Sequence, residues 1–187
     1  IRICRLQLEQ DSGKSIHDFD PKLSMVDLNR AGCALIEIVS EPDIRSSDEA
    51  ACYVRKIQNY LRTVGSCNGN MEEGSLRCDV NISVRPMPLT EEELSNSTIT
   101  MSDSNSTTTT ANNASTYPLG ERVEVKNLNS VKSVIRAIDY EVDRQINNVE
   151  INDSPVTKHE TRTFDVAQGI TVRLRSKENA PDYRFLL

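Results

Sequence analysis

The stretch "MEEGSLRCDVNISVRP", residues 71–86, alternates almost without fault. Its even positions run Leu76, Cys78, Val80, Ile82, Val84. Its odd positions run Ser75, Arg77, Asp79, Asn81, Ser83, Arg85. Successive side chains of a strand point to opposite faces, so this period predicts a strand over 75–85 with one apolar and one polar face. A face that is merely wet usually carries Lys, Glu and Thr. This one carries Arg, Asp, Asn and Ser, groups that hold defined hydrogen-bond geometry. The stretch therefore predicts a sheet that rests on a core and presents a binding surface on its other side.

Working outward, the same period recurs. Cys4, Leu6 and Leu8 alternate with Arg5, Gln7 and Glu9 and run into the turn "DSGK". Val26 and Leu28 alternate with Asp27 and Asn29 before "RAG", and "ALIEIV" reads as a strand buried on both faces. Ser46 and Glu49 have the spacing of a capping box. Ala50, Val54, Ile57, Leu61 and Val64 then mark one helical stripe, which Gly65 can close. Further on, "RVEVK" is a short strand, Ser130 can cap a second helix, and Val131, Val134, Ile138, Val142, Gln145 and Val149 lie on or near its stripe. In "ITVRLR", Ile170, Val172 and Leu174 share one face and Thr171, Arg173 and Arg175 the other. Strands outnumber helices. The prediction is an α+β fold, a largely antiparallel sheet with two helices on one face.

Bulk properties narrow the class. A chain of 187 residues is long enough for one domain with a sizeable core. It begins at Ile1 and stops after "DYRFLL", which reads as a piece of a longer protein. Hydrophobic residues make up 37%, and no apolar run approaches membrane-spanning length, so no membrane is expected. The five cysteines are widely spaced and none forms a CxxC, which argues for free thiols rather than a zinc site or disulfide framework. His17 and His159 are the only imidazoles, so a catalytic cysteine is disfavoured. The net charge of −6 disfavours simple non-specific nucleic-acid binding. Four of the acidic groups and no basic one lie in residues 87–119. Residues 88–118, rich in Ser, Thr and Asn, read as a disordered insert between two strands. Its N-x-S/T triplets at Asn96, Asn105 and Asn113 are what chance gives in such a tract.

The polar face collects Glu9, Asp27, Arg77, Asp79, Asn81, Arg85, Glu124, Lys126, Arg173 and Arg175. Glu37 is expected to join it. Set in "ALIEIV", it would be a desolvated carboxylate needing a partner, a metal or a proton. On Glu37 alone, an arginine partner and a metal weigh equally. Carboxylates that can hold Mg²⁺, beside arginines and a lysine that can hold phosphate oxygens, point to phosphoryl transfer. "DSGKS" lacks the glycine of a P-loop, because Leu8 stands in its place, and is read as a turn.

The stretches "LEQDSGKS", "VDLNRAGCALIEIVSEPDIRS", "MEEGSLRCDVNISVRP", "EVKNLNSV", "HETRTFD" and "DYRF" occur here in order. In this the chain resembles the B subunit of the aspartyl/glutamyl-tRNA(Asn/Gln) amidotransferase family, over nearly all its length outside the insert. The resemblance implies one catalytic cradle domain over 1–187, interrupted at about 88–118, with its N-terminal start and the C-terminal tRNA-gripping region missing. The implied fold resembles glutamine synthetase and guanidino kinases. The implied chemistry is a ligase's: ATP activates the Glu or Asp carried by a misacylated tRNA, and ammonia from a partner glutaminase displaces phosphate. Partners would be the amidase-type glutaminase subunit, the small third subunit of the amidotransferase, and the misacylated tRNA; cofactors would be ATP and Mg²⁺. Position by position, Glu9 and Glu37 match carboxylates at or near the metal. Ser75, Arg77, Asp79 and Asn81 match the strand at ATP, with Glu37, Arg77 and Asp79 placed in catalysis. Lys126, Asn127 and Asn129 match a neighbouring nucleotide-binding segment. Gln10 departs from a glutamate and Ala34 from a proline. The insert suggests a eukaryotic, hence mitochondrial, enzyme; a bacterial one would be cytoplasmic. Two other readings are a non-catalytic scaffold or degenerate paralogue, and a small-molecule ligase of the same fold. A plain RNA-binding module is disfavoured by charge and by the lack of clustered aromatics.

Overall fold

The computed structural model describes residues 1–20, 23–85, 119–152 and 159–176. The described residues form a mixed α+β structure with two helices and antiparallel-rich sheets. It divides into two compact units, Ile1–Arg45 and Ser46–Leu187. The expected insert over 88–118 lies outside the described residues.

The first unit is two antiparallel ribbons. β1 (Ile3–Gln10) pairs with β4 (Ala34–Ser40), and β2 (Lys14–Asp20) with β3 (Leu23–Asp27). "DSGK" is a turn, as its composition predicts. The Asp11 carboxylate accepts from the Gly13 N–H at 3.0 Å, and Gly13 sits at φ +85°. A Cβ there would lie 2.7 Å from the Asp27 carbonyl, so only glycine fits. The Asp11 backbone also ties in "RAG", accepting from Gly32 N–H and donating to the Cys33 carbonyl. "ALIEIV" is a strand, but it is not buried on both faces. Ile36 is 58% exposed and Glu37 is exposed, as is all of β1. A two-stranded ribbon has no second layer to bury against.

The second unit has the core. α1 (Ser47–Thr63) starts where Ser46 Oγ accepts from Glu49 N–H at 3.2 Å. It ends in a Schellman motif: Gly65 at φ +73° donates to Arg62, and Ser66 donates to Leu61. α2 (Val131–Asn152) is capped by Ser130, whose Oγ accepts from Ser133 N–H at 3.0 Å. α2 lies on a four-stranded sheet ordered β5 (Val80–Ile82), β6 (Val123–Lys126), β7 (Glu160–Asp165), β8 (Ile170–Ser176), and α1 packs against α2. The β5–β6 and β7–β8 pairs are antiparallel, while β6 and β7 run parallel. A parallel pair needs a long crossover, and α2 supplies it. Ile82, Val123, Val125 and Phe164 are buried in the core with Val134, Ala137 and Ile138. Burying each of the larger of these side chains contributes about 1.5–3 kcal/mol.

Two strands of this unit differ from expectation. Only Val80–Ile82 of the 75–85 stretch joins a ladder. Upstream, the Ser75 and Leu76 N–H groups both donate to the Asn70 carbonyl, so the backbone is spent on a turn. Exposure still alternates: Ser75, Arg77, Asp79 and Asn81 are exposed, while Leu76, Cys78 and Val80 are half-buried and Ile82 is buried. β8 is inverted. Thr171 is 2% exposed and faces α2, whereas Val172 and Leu174 are 42% and 53% exposed. Arg173 Nε reaches Glu160 at 3.2 Å on the helix side, so it leaves the expected polar face. The cause is Glu141 of α2, which is fully buried. Its carboxylate takes hydrogen bonds from Arg144 (2.6 and 3.0 Å), Gln145 (3.0 Å) and Thr171 (2.7 Å), with Arg162 at 3.6 Å. Polar side chains of β7 and β8 turn inward to satisfy it.

Candidate functional site

The front of the four-stranded sheet, away from α2, carries a connected polar group. In register, Asn81 of β5 lies opposite Glu124 of β6, and Glu124 opposite Thr161 of β7. Val123 and Val125 point into the core, so Glu124 and Lys126 point out. Lys126 Nζ sits 2.7 Å from Asp79 Oδ2 and 3.2 Å from Glu124 Oε1. Thr161 Oγ1 donates to the other Glu124 oxygen at 3.2 Å. Asn127 ends β6 in the left-handed region at φ +64°, and its Nδ2 donates to Thr163 Oγ1 at 2.8 Å.

The electrostatics follow the contacts. Partial burial works against the Lys126 charge, but hydrogen bonds and charge from Asp79 and then Glu124 outweigh it, leaving its pKa above the ordinary lysine value. The neighbouring Cys78 thiol is pushed up to about 11, mainly by burial and then by the charge of Asp79. It stays a protonated, inert thiol at neutral pH. His159 Nδ1 lies 2.9 Å from the Arg122 carbonyl oxygen and is engaged there.

The expected residues fall in several places. Asp79, Lys126 and Asn127 belong to the front-face network, and Asn81 stands in register with Glu124. Ser75 and Arg77 are exposed on the extended segment leading into it. Asn129 has a different setting, a shallow hollow lined by Gln58, Arg62, Asn70, Met71 and Ser130. Arg175 is placed by its backbone pairing with Thr161.

Glu9 and Glu37 belong to the first unit. Gln7 lies opposite Glu37 and Glu9 opposite Leu35, so Glu9 and Glu37 are diagonal neighbours on one face. Gln7 Nε2 approaches Glu9 Oε1 at 3.4 Å. Because Glu37 is exposed, the desolvation argument for it does not hold. Gln10 and Ala34, the two departures from the family pattern, are cross-strand partners in the same ribbon. Among the described residues no group of three or more His, Cys, Asp or Glu is disposed to hold a metal. Two carboxylates on one face still suit Mg²⁺, which keeps several waters and takes phosphate oxygens as further ligands.

Sequence reasoning passed over Thr161, Thr163 and the buried Glu141–Arg162 cluster. "HETRTFD" alternates polar with polar, so no hydrophobic period marks it as a strand.

A helix-backed α+β sheet with a lysine-centred polar face has the makings of a catalytic domain, and the comparison with known families agrees. The chain belongs to the GatB/GatE catalytic domain family, matching it over residues 1–187. It is 50% identical over 185 residues to the B subunit of the mitochondrial glutamyl-tRNA(Gln) amidotransferase of Phytophthora infestans, covering 99% of this chain and 30% of that protein. It is 46% identical to the B subunit of the aspartyl/glutamyl-tRNA(Asn/Gln) amidotransferase of Rickettsia bellii and 47% to that of Pelagibacter ubique. Each of these matches covers 99% of this chain and 32% of the relative. The chain thus spans about a third of the length of these relatives.

Proposed function

We propose that the chain is part of the catalytic domain in one subunit of a glutamine-dependent tRNA amidotransferase, a ligase forming a carbon–nitrogen bond. The observation that carries this reading is the Asp79–Lys126–Glu124 group on the sheet front, within a chain 50% identical to a relative named for that reaction. An oxygen of the tRNA-borne Glu or Asp carboxylate attacks the γ-phosphorus of ATP, giving an acyl phosphate and ADP. Ammonia then adds at the carbonyl carbon and expels phosphate, giving Gln-tRNA(Gln) or Asn-tRNA(Asn). Lys126 and Arg77 neutralise phosphate oxygens, and Ser75, Asn81 and Asn127 donate hydrogen bonds to the nucleotide. Asp79 holds Lys126 in place.

Glu9 and Glu37 would hold Mg²⁺, which when bound neutralises the phosphate charge that opposes an anionic nucleophile. Ammonia comes from an amidase-type glutaminase partner, with a small third protein completing the complex and the misacylated tRNA as substrate. The fold is read as that of glutamine synthetase and guanidino kinases, and 1–187 as one domain with its insert. The compartment follows the source, mitochondrial as in the Phytophthora relative or cytoplasmic in a bacterium.

The full-length complex should form ADP from ATP with Glu-tRNA or Asp-tRNA and not with free glutamate. ADP formation with free glutamate at the same rate would identify a small-molecule ligase instead.

A further inference from the structure

We infer that Thr161 and Thr163 of β7 are positioning residues that hold the nucleotide-facing side chains of β6. The inference rests on the reading that the sheet front binds ATP. β6 and β7 are parallel, with Thr161 opposite Glu124 and Thr163 opposite Lys126. Each hydroxyl is committed across that pair. Thr161, only 4% exposed, donates to Glu124 Oε2 at 3.2 Å, while the other oxygen of that carboxylate takes Lys126 Nζ at 3.2 Å. With its second oxygen fixed from behind, Glu124 presents the first to Lys126 at a set place, between β6 and Asp79.

Thr163 acts on the next residue. Asn127 is the only non-glycine residue with positive φ among those described. That conformation costs an L-residue energy and persists where surroundings hold it. Here the Asn127 amide is held by Thr163 Oγ1 at 2.8 Å. The bond fixes both the side chain and the point at which the chain leaves β6. Threonine suits both tasks, since its branched carbon fits a strand and its hydroxyl can donate or accept. Neither threonine reaches the nucleotide in this account; both act through Glu124, Lys126 and Asn127.

The sheet supplies its own control. Thr171 of β8 is buried as Thr161 is, but its hydroxyl bonds Glu141 on the helix side. Thr171→Val should lower the melting temperature and leave ATP affinity unchanged.

The test uses the full-length protein in its complex. ATP binding is measured directly without tRNA, alongside melting temperature and steady-state kinetics. Thr161→Val and Thr163→Val should each weaken ATP binding and raise the ATP KM about tenfold, the worth of one well-placed hydrogen bond. They should leave kcat within about threefold, and Thr161→Ser and Thr163→Ser should restore affinity to within about twofold. If both valine variants bind ATP as the wild type does, the inference is overturned. It is overturned equally if affinity falls only as melting temperature falls and serine does not restore it. A wild-type complex that binds no ATP overturns the underlying reading as well, which separates the two failures.

Discussion

Glu37 shows how a residue can be picked out for a mistaken reason and still stand in a suggestive place. A lone charge in "ALIEIV" looks buried because its neighbours are apolar. In a two-stranded ribbon none of those neighbours is buried, and Glu37 itself is exposed, so the carboxylate is not desolvated. What the sequence could not show was pairing. Register puts Glu37 opposite Gln7 and diagonal to Glu9, and register depends on a partner strand that lies far off in the chain. The exposed setting sharpens the test of its role. Glu37→Gln removes no buried pair, so the melting temperature should hold within about 1 °C. ATP-dependent activation by the full-length complex should fall on the order of a thousandfold, the worth of a lost metal contact. A folded variant that activates at the wild-type rate would remove Glu37 from the site.

At the scale of elements, the parts with strong local signals were legible. Ser46, Ser130 and Gly65 fixed the helix ends, because caps are read from neighbours in sequence. The alternation of 75–82 survived as exposure even where no ladder formed. β7 and β8 were not legible in the same way, because a buried carboxylate on α2 overrides the strand period. Glu141 draws Arg162 and Thr171 to the helix side, Glu160 shares Arg162 there and holds Arg173, and nothing local to β8 announces it. Burial alone would raise the Glu141 pKa. Hydrogen bonds from Arg144, Gln145 and Thr171, with the Arg144 charge, overcome burial and leave it below the usual carboxylate value. A group with a depressed native pKa stabilises the fold fully above its unfolded pKa. That contribution is lost as pH falls through the native value. Glu141→Gln should cost about 3 kcal/mol at neutral pH, since it leaves part-buried guanidinium groups short of an anion in the core. Urea unfolding followed from pH 7 into the acid range should show a shallower acid slope in this variant than in the wild type. Equal slopes would mean that Glu141 is not ionised in the native core.

Among the described residues, one unit has an apolar core and the other has none. Valines and a phenylalanine from β6 and β7 close the second unit against α2. In the first unit Leu6, Leu8 and Ile36 stay exposed. Composition and period give the class of fold, but they do not say which strands lack a second layer. That is a matter of what packs on them. The insert also belongs to this scale. Residues 85 and 119 flank it, and just beside them Gly120 N–H donates to the Val84 carbonyl at 2.9 Å, continuing the β5–β6 pair. With those ends already joined, closing a long segment between them costs little extra entropy. Replacing residues 88–118 by a short Gly/Ser linker should leave melting temperature and ATP affinity within error of the wild type. A large loss of either would give the segment a structural part.

The central claim is that the sheet front, through Lys126, serves ATP-dependent activation of a tRNA-borne carboxylate. The most direct measurement is single-turnover ADP formation by the full-length complex with Glu-tRNA and no ammonia source, comparing wild type with Lys126→Met. Methionine keeps the unbranched stem and removes the charge that two carboxylates now hold. The account predicts a tRNA-dependent ADP burst in the wild type and a loss of at least about a hundredfold in the variant. Melting temperature and the partner's glutaminase activity should be unchanged. A Lys126→Met complex that is folded and gives the wild-type burst would contradict the account.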